Sequence, residues 1–265
     1  MNPLPRLSIL ISVFNDEKTL DRCFQSIADQ SFQDFSIVCI NDASTDTSSQ
    51  IIQKWLQFFG GRLLLIENET NLGLTRSLNL GLQSIASPYT ARIDSDDWWE
   101  PSKLTQQLSF LETHPSHGVV GTNYINHFTT KEIPVTLPET DTAIKKSIFK
   151  RNPFAHSTVL FRTEFVKALG GYDSNVRYGQ DYDLWLRLLP KTCFANLPAF
   201  LCHRNAMDTL SSQKQREQML QCVKTQLKYL RSYRRSLLEY RFILEPLLVA
   251  LTPAWLRSLK RELFL

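Results

Sequence analysis

The sequence predicts an α/β fold, a mostly parallel central sheet flanked by helices and followed by a helical C-terminal extension. Three observations carry this. Strand-like and helix-like segments alternate four times before residue 115, the pattern of parallel strands joined by right-handed helical crossovers. The strand candidates begin with a continuous apolar run rich in β-branched residues, as a strand covered on both faces requires. Beyond residue 211 the chain reads as helical and basic to its end.

Each element follows from local pattern. "LSILISVF" opens the sheet, and Asn15 stands where it could cap a helix with Asp16 and Glu17 in its first turn and Leu20, Cys23, Phe24 and Ile27 inward. "FSIVCI" is a second strand that stops at "NDASTD". Ile51, Ile52, Trp55, Leu56 and Phe59 form one helix face, closed by Gly60-Gly61, after which "RLLLIE" is a third strand. A polar loop then leads to a helix with Leu78, Leu82 and Ile85 inward. "YTARID" is the fourth strand, and Pro101 suits the first turn of a helix carrying Leu104, Leu108 and Leu111. Further on, "GVVGTNYIN" and "STVLFR" read as strands separated by a loop and a short helix. A helix near Phe165 to Leu169 ends at Gly170-Gly171, and "GQDYDLWLRLL" is a helix with Leu184, Leu188 and Leu189 for burial and Asp181 near its amino end.

Composition narrows the class. At 265 residues, 43% hydrophobic and 21% charged, the chain can bury one large core and carry an appendage. Its five cysteines are scattered, odd in number and free of CxxC spacing, which points to reduced thiols in the cytosol. No secretory cleavage pattern is legible, and no run reaches the roughly 18 apolar residues of a spanning helix. The nearest, "FILEPLLVALTPAWL", is interrupted by Glu245, Pro246 and Pro253. A net charge of +4 suits anionic ligands and does not point to nucleic acid.

In open parallel sheets, ligands bind outside the carboxyl ends of the strands. Asn15, Asn41-Asp42, the loop 71–76 and the cluster Asp94, Asp96, Asp97 each follow a strand, so these polar loops should converge. Adjacent carboxylates raise one another's pKa and need a cation, a helix terminus or water nearby. Alone, such a cluster is a solvated capping turn; at a strand end it supplies the oxygen ligands that Mg2+ or Mn2+ takes beside a diphosphate. Asp42 either closes an Asx turn or meets a nucleotide. Arg76 is a surface cation or a phosphate partner. Asp181 is either favoured by its helix dipole or placed as a general base. Trp98 and Trp99 pack in a core or stack on a sugar, and His156 and His203 are packing residues or ligands.

These segments, in this order, resemble the family 2 glycosyltransferases. The likeness runs from "SILISVFND" through "NDASTD", "NLGLTRSLNLG", "ARIDSDDWWEPSKL", "HSTVLFR", "LGGYD" and "GQDYDLWLRL" to "HRNAMDTLS", roughly residues 6 to 211. The resemblance implies a GT-A fold and inverting transfer of a sugar from a nucleotide diphosphate sugar to a hydroxyl, in cell-surface polysaccharide or lipid-linked oligosaccharide synthesis. It implies donor contacts at Val13, Phe14, Asn41, Asp42, Arg76, Asp94 and Asp96, a divalent metal (Mn2+ or Mg2+) at Asp96 and Asp97, and Asp181 as base. Trp98, Trp99, His156 and Gln180 fall on the acceptor side. Three positions depart from the family pattern: Asn41 and Gln180 replace common acids, and "HRNA" lacks the usual histidine, so that only His203 from a shifted register could reach the metal.

The expected organisation is a catalytic domain over residues 1–211, with a donor half at 1–115 and an acceptor half at 116–211, then a basic amphipathic extension at 212–265. That extension has the composition of a segment lying on an anionic membrane or packing on the domain, and a lipid-linked acceptor would set the enzyme at the cytoplasmic membrane face. Two rival readings use the same residues: a non-catalytic nucleotide-sugar sensor or scaffold, and a nucleotidyltransferase.

Overall fold

The computed structural model describes residues 4–206, 212–233 and 236–252. In chain order the elements are β1 (Leu7–Val13), α1 (Leu20–Ala28), β2 (Phe35–Asn41), α2 (Ser48–Phe59), β3 (Leu63–Glu67), α3 (Leu74–Ser84), β4 (Tyr89–Asp94), β5 (Trp98–Trp99), α4 (Lys103–Thr113), β6 (His117–His127), β7 (Glu132–Val135) and α5 (Asp141–Ser147). They continue with β8 (Leu160–Arg162), α6 (Thr163–Ala168), α7 (Gln180–Leu188), β9 (Cys193–Asn205), α8 (Ser212–Ser232) and α9 (Leu244–Leu251).

One sheet runs β3-β2-β1-β4-β8-β6-β9-β5, with β7 beside β6. Its first half, β3 to β4, is parallel throughout, as the alternating pattern predicts. Beyond β4 the sheet is mixed: β8 is antiparallel to β4 and β6, while β9 returns parallel to β6. β1 is buried along its whole length, and its alternation divides the core in two. Leu7, Ile9, Ile11 and Val13 join the apolar faces of α1, α2 and α4. Leu10, with Val38 and Ile40 of β2, joins α3, α7 and α8 on the other side. The helix faces read from the sequence are the buried ones: Cys23, Phe24 and Ile27 of α1, Leu78 and Leu82 of α3, and Leu104, Leu108 and Leu111 of α4.

Several boundaries differ from expectation. α1 begins at Leu20 behind Thr19, not at Asn15. Asn15 instead holds φ at 58° and accepts the Thr45 N–H at 2.8 Å, so its side chain ties two loops together. The strand read from "STVLFR" shortens to β8, because His156–Thr158 form a 3-10 turn. "CFANLPAFLCHRN" forms the long strand β9. Irregular register against β6 explains why no clean period shows there.

The described part of the extension packs on the domain. Val223, Tyr229 and Leu230 of α8 enter the core around Trp185. The Tyr229 hydroxyl donates to Asp183 Oδ1 at 2.8 Å, the Tyr233 hydroxyl to the Leu186 carbonyl at 2.6 Å, and the Gln226 amide to the Phe149 carbonyl at 2.9 Å. Residues 253–265, to which the membrane-lying expectation also applies, lie outside the described residues. Among the described residues no helix is long and apolar enough to cross a membrane.

Gly81 lets α3 approach the sheet closely. A Cβ there would stand 2.5 Å from both Ile40 Cδ1 and Leu10 Cδ1. Gly81→Val is therefore expected to lose about 1–3 kcal/mol of stability through overpacking. Urea unfolding should show a lower midpoint with an unchanged m value.

Candidate active site

The centre of the site is the end of β4. Arg92 lies in the middle of β4 with 0% exposure. Its guanidinium donates to Asp94 Oδ1 and lies 3.4 Å from Ser157 Oγ. Ser157 Oγ in turn accepts the Asp94 N–H at 2.9 Å and donates to Asp94 Oδ2 at 3.1 Å. Burial alone would raise the Asp94 carboxyl, but the charge of Arg92 and its hydrogen bond outweigh burial and hold it well below the usual carboxylate range.

Asp94 thus stays ionised, and its neighbours feel it. Asp96 is pushed up to about 8 by burial and then by the charges of Asp94, Asp97 and Asp16. Asp97 is pushed up to about 6 by burial and by Asp94, against the pull of Arg204. One Asp97 oxygen accepts the Asn205 N–H at 2.9 Å. The other, Oδ2, is buried with no hydrogen-bond partner among the described residues; Arg204 Nε is 3.9 Å away, too far to donate. Asp94, Asp96 and Asp97 each offer an oxygen within 4.8 Å of the others. Three clustered carboxylates, one with an unsatisfied buried oxygen, are a donor set suited to a hard divalent cation.

The loops after β1, β2 and β3 converge beside this cluster as expected. Asp42, 2% exposed, accepts the backbone N–H groups of Leu72 and Gly73 at 2.8 and 2.9 Å and the Asn68 amide at 2.7 Å. It closes a loop, but across the chain rather than as a local Asx turn. Asn41 accepts the Ser44 N–H at 3.1 Å and donates to Ser49 Oγ at 3.0 Å. Both side chains are thereby occupied by protein partners. Val13, placed among the donor contacts by resemblance, is a core residue with 0% exposure, because strand alternation turns it inward. Phe14 is 44% exposed, and Arg76 is exposed in the first turn of α3 without an ion pair among the described residues. Asp16 accepts from Ser95 Oγ, joining the β1 loop to the acidic turn.

A cavity of about 950 Å³ opens in front of Asp94. Asp181, His156 and Gln180 line it with Asp94, so four of the residues singled out by sequence share one space. Asp181 sits in the first turn of α7 behind Gly179, whose φ of 68° makes the tight entry. Its Oδ2 accepts from the Asn152 amide at 2.7 Å, and burial raises its carboxyl pKa. His156 shares a hydrogen bond of 2.9 Å between Nε2 and the Tyr172 hydroxyl. Burial, reinforced by Arg92, drives its pKa well below the usual value, so it is a neutral ring.

Three further assignments are corrected. His203 does not reach the acidic cluster: its Nε2 pairs with Glu100 Oε1 at 2.8 Å and its Nδ1 with His127 Nε2 at 2.8 Å. Alternation along β9 turns Arg204, not His203, toward Asp97. Trp99 is 3% exposed and donates from Nε1 to the Ser157 carbonyl at 2.8 Å, which makes it a core support rather than an acceptor platform. Trp98 lies outside the cavity wall; Arg22 stands 3.5 Å over its ring and His203 stacks on it at 5.1 Å. Pattern reading also passed over Arg92, Arg204, Ser157 and Asn152. Arg92 left a signal, a charge inside a strand otherwise apolar enough to be buried on both faces. Asn152 and Ser157 left none, since their roles depend on a fold-back across the sheet.

The family model for Glycosyl transferase family 2 matches residues 8–169. The putative glycosyltransferase EpsE of Bacillus subtilis (strain 168) is 35% identical over 193 residues, covering 71% of this chain and 68% of its own. The amylovoran biosynthesis glycosyltransferase AmsE of Erwinia amylovora is 33% identical over 201 residues, 73% of this chain and 74% of its own. Among solved structures, S. aureus TarS 1-349 in complex with UDP superposes with a TM-score of 0.67 at 20% identity, over 83% of this chain and 65% of that one. The mannosyltransferase PcManGT of Pyrobaculum calidifontis, in complex with GDP-Man and Mn2+, gives 0.67 at 15% identity over 92% and 69%. The likeness to the two structures is one of fold, which is GT-A. With its family match spanning more than half its length and carrying the acidic turn, the chain belongs to the family 2 glycosyltransferases.

Proposed function

We propose that this glycosyltransferase moves a sugar, with inversion, from a nucleotide diphosphate sugar to a hydroxyl acceptor in the synthesis of a surface polysaccharide or lipid-linked oligosaccharide. The observation that carries this reading is that Asp181, a half-buried carboxyl with a raised pKa, faces the same cavity as the Asp94 end of the acidic cluster. A base and a leaving-group site on one cavity are what displacement at an anomeric carbon needs. The UDP held by TarS and the GDP-Man and Mn2+ held by PcManGT support a nucleotide donor and a divalent cation for this chain too.

Roles follow from position. Asp96 and Asp97 would hold the cation, with Asp94 locked beside them by Arg92 and Ser157. When bound, such a cation supplies neutralising charge to the departing diphosphate. Asp181 takes the proton of the attacking hydroxyl; its raised pKa brings it closer to neutrality, where proton acceptance is efficient. Asn152 orients that carboxylate by holding one oxygen and leaving the other to the acceptor. Attack from the side opposite the leaving diphosphate inverts the anomeric centre. Phe14 and Arg76, exposed beside the converging loops, meet the nucleotide and its phosphates. In this reading residues up to 115 bind the donor and residues 116–211 the acceptor, and the protein works in the cytoplasm at the membrane face.

Asp181→Asn keeps the hydrogen bond to Asn152 open but removes the base, and should lower kcat by about 10²–10⁴-fold. Stabilisation by UDP with Mn2+ should persist in the variant. Background turnover of donor by wild type and variant alike would favour a sensor instead.

The acidic turn gives a pH signature. Asp96 and Asp97 bind protons more tightly in the folded chain than in the unfolded one, where Asp titrates near 4. Their contribution to stability is therefore full in acid and is lost as pH rises toward about 8. A cation competes with those protons, so the rise in Tm produced by Mn2+ and UDP should be larger at pH 8 than at pH 6. It should disappear on adding chelator and in Asp96→Asn/Asp97→Asn. A Tm gain independent of pH, or retained in that variant, would remove these carboxyls from the cation site.

A further inference from the structure

Lys103 opens α4 with 0% exposure, and no carboxylate pairs with it among the described residues. Its Nζ lies 4.0 Å over the Trp99 ring and donates to Gln107 Oε1 at 2.7 Å. Burial pulls the amine down to about 7. An amine sealed from water without a counter-charge costs stability that an apolar side chain of the same length would not. Packing alone therefore does not account for a lysine here.

Both groups that Lys103 touches lead to the same short turn. Trp99 Nε1 donates to the Ser157 carbonyl at 2.8 Å, and Gln107 Nε2 donates to the Thr158 carbonyl at 2.8 Å and to the Val120 carbonyl at 2.9 Å. The lysine takes the one oxygen of the Gln107 amide, which leaves both amide hydrogens for the two carbonyls. The turn so gripped is the one that buttresses the acidic cluster. Ser157 Oγ accepts the Asp94 N–H at 2.9 Å and donates to Asp94 Oδ2 at 3.1 Å, and the Val159 carbonyl just beyond accepts the Arg92 N–H at 3.2 Å.

We propose that Lys103 is a positioning residue for sugar transfer, clamping the His156–Thr158 turn through Trp99 and Gln107 so that Ser157 sets the Asp94 carboxylate beside Asp96 and Asp97. This rests on the functional reading above and adds to it a residue that stands behind the cavity wall. The effect passes through one hydroxyl: a turn free to shift moves Ser157 Oγ away from Asp94, and the carboxylate loses the donor that fixes its second oxygen.

The test uses the full chain carrying Lys103→Met, which keeps length and removes the amine, or Trp99→Phe, which keeps a ring under the amine and removes only the N–H. Mn2+ binding at saturating UDP should weaken about tenfold in Lys103→Met, and less in Trp99→Phe. Ser157→Ala should weaken it as well, and in that background Lys103→Met should add nothing, because both changes act through the same hydroxyl. An amine that serves the fold alone would leave the affinity unchanged or add its loss to that of Ser157→Ala. Without any ligand, amide hydrogen exchange at Arg92 and Asp94 should be about tenfold faster in Lys103→Met, while the amides of β2 keep their rates. Unchanged Mn2+ affinity in both variants, additive losses, or unchanged exchange at Arg92 and Asp94 overturns the proposal. Failure of wild type to bind Mn2+ with UDP defeats the functional reading instead, and the exchange comparison still decides whether Lys103 holds the turn.

Discussion

The ion pair of the buried Arg92 with the half-buried Asp94 is the constraint on which the site depends. A guanidinium with no exposure costs several kcal/mol to desolvate, and only a close, well hydrogen-bonded carboxylate offsets that. Removing Asp94 would leave the buried Arg92 charge unanswered, at about 3–5 kcal/mol. The pair fixes one carboxylate as permanently ionised in a crowded turn. Every further negative charge there becomes harder to sustain, which is why Asp96 and Asp97 shift upward. The turn thus gathers one carboxyl held low and two pushed up within 4.8 Å of one another.

Around that pair the fold divides the labour by strand direction. Four parallel strands send their carboxyl ends to one edge, and Asp42 sews the resulting loops together by accepting donors from the loop after β3. The antiparallel turn at β8 then brings Ser157 back against Asp94, so the second half of the chain buttresses the acidic turn from the other side. α7 and the segment ending at Asn152 set Asp181 across the cavity. α8 holds α7 in place through Tyr229 on Asp183, a carboxylate that also pairs with Arg187 at 2.7 Å. α8 is thus structural support for the helix that presents the candidate base, and α9 adds to the cavity wall.

Much of this was legible in the residues. Continuous apolar runs, the i, i+3, i+4 faces of α1, α3 and α4, and Gly60-Gly61 closing α2 determined the parallel half of the sheet. The rule that ligands bind at carboxyl ends of parallel strands brought the acidic turn into a cleft. The position of Asp181 near a helix start was legible, but its reading as a base came from the family resemblance, since the helix dipole alone would favour an acid there. These are local properties, set by periodicity and by the hydrogen-bonding needs of helix ends. Which acid is ionised, which face of β9 reaches the cluster, and which cations are left without partners are different in kind. They depend on desolvation and on distances between residues 60 to 110 positions apart, such as Asp94 with Ser157 and Asp97 with Asn205. Electrostatic energy is settled by what surrounds a charge in space, and only the folded chain supplies those surroundings.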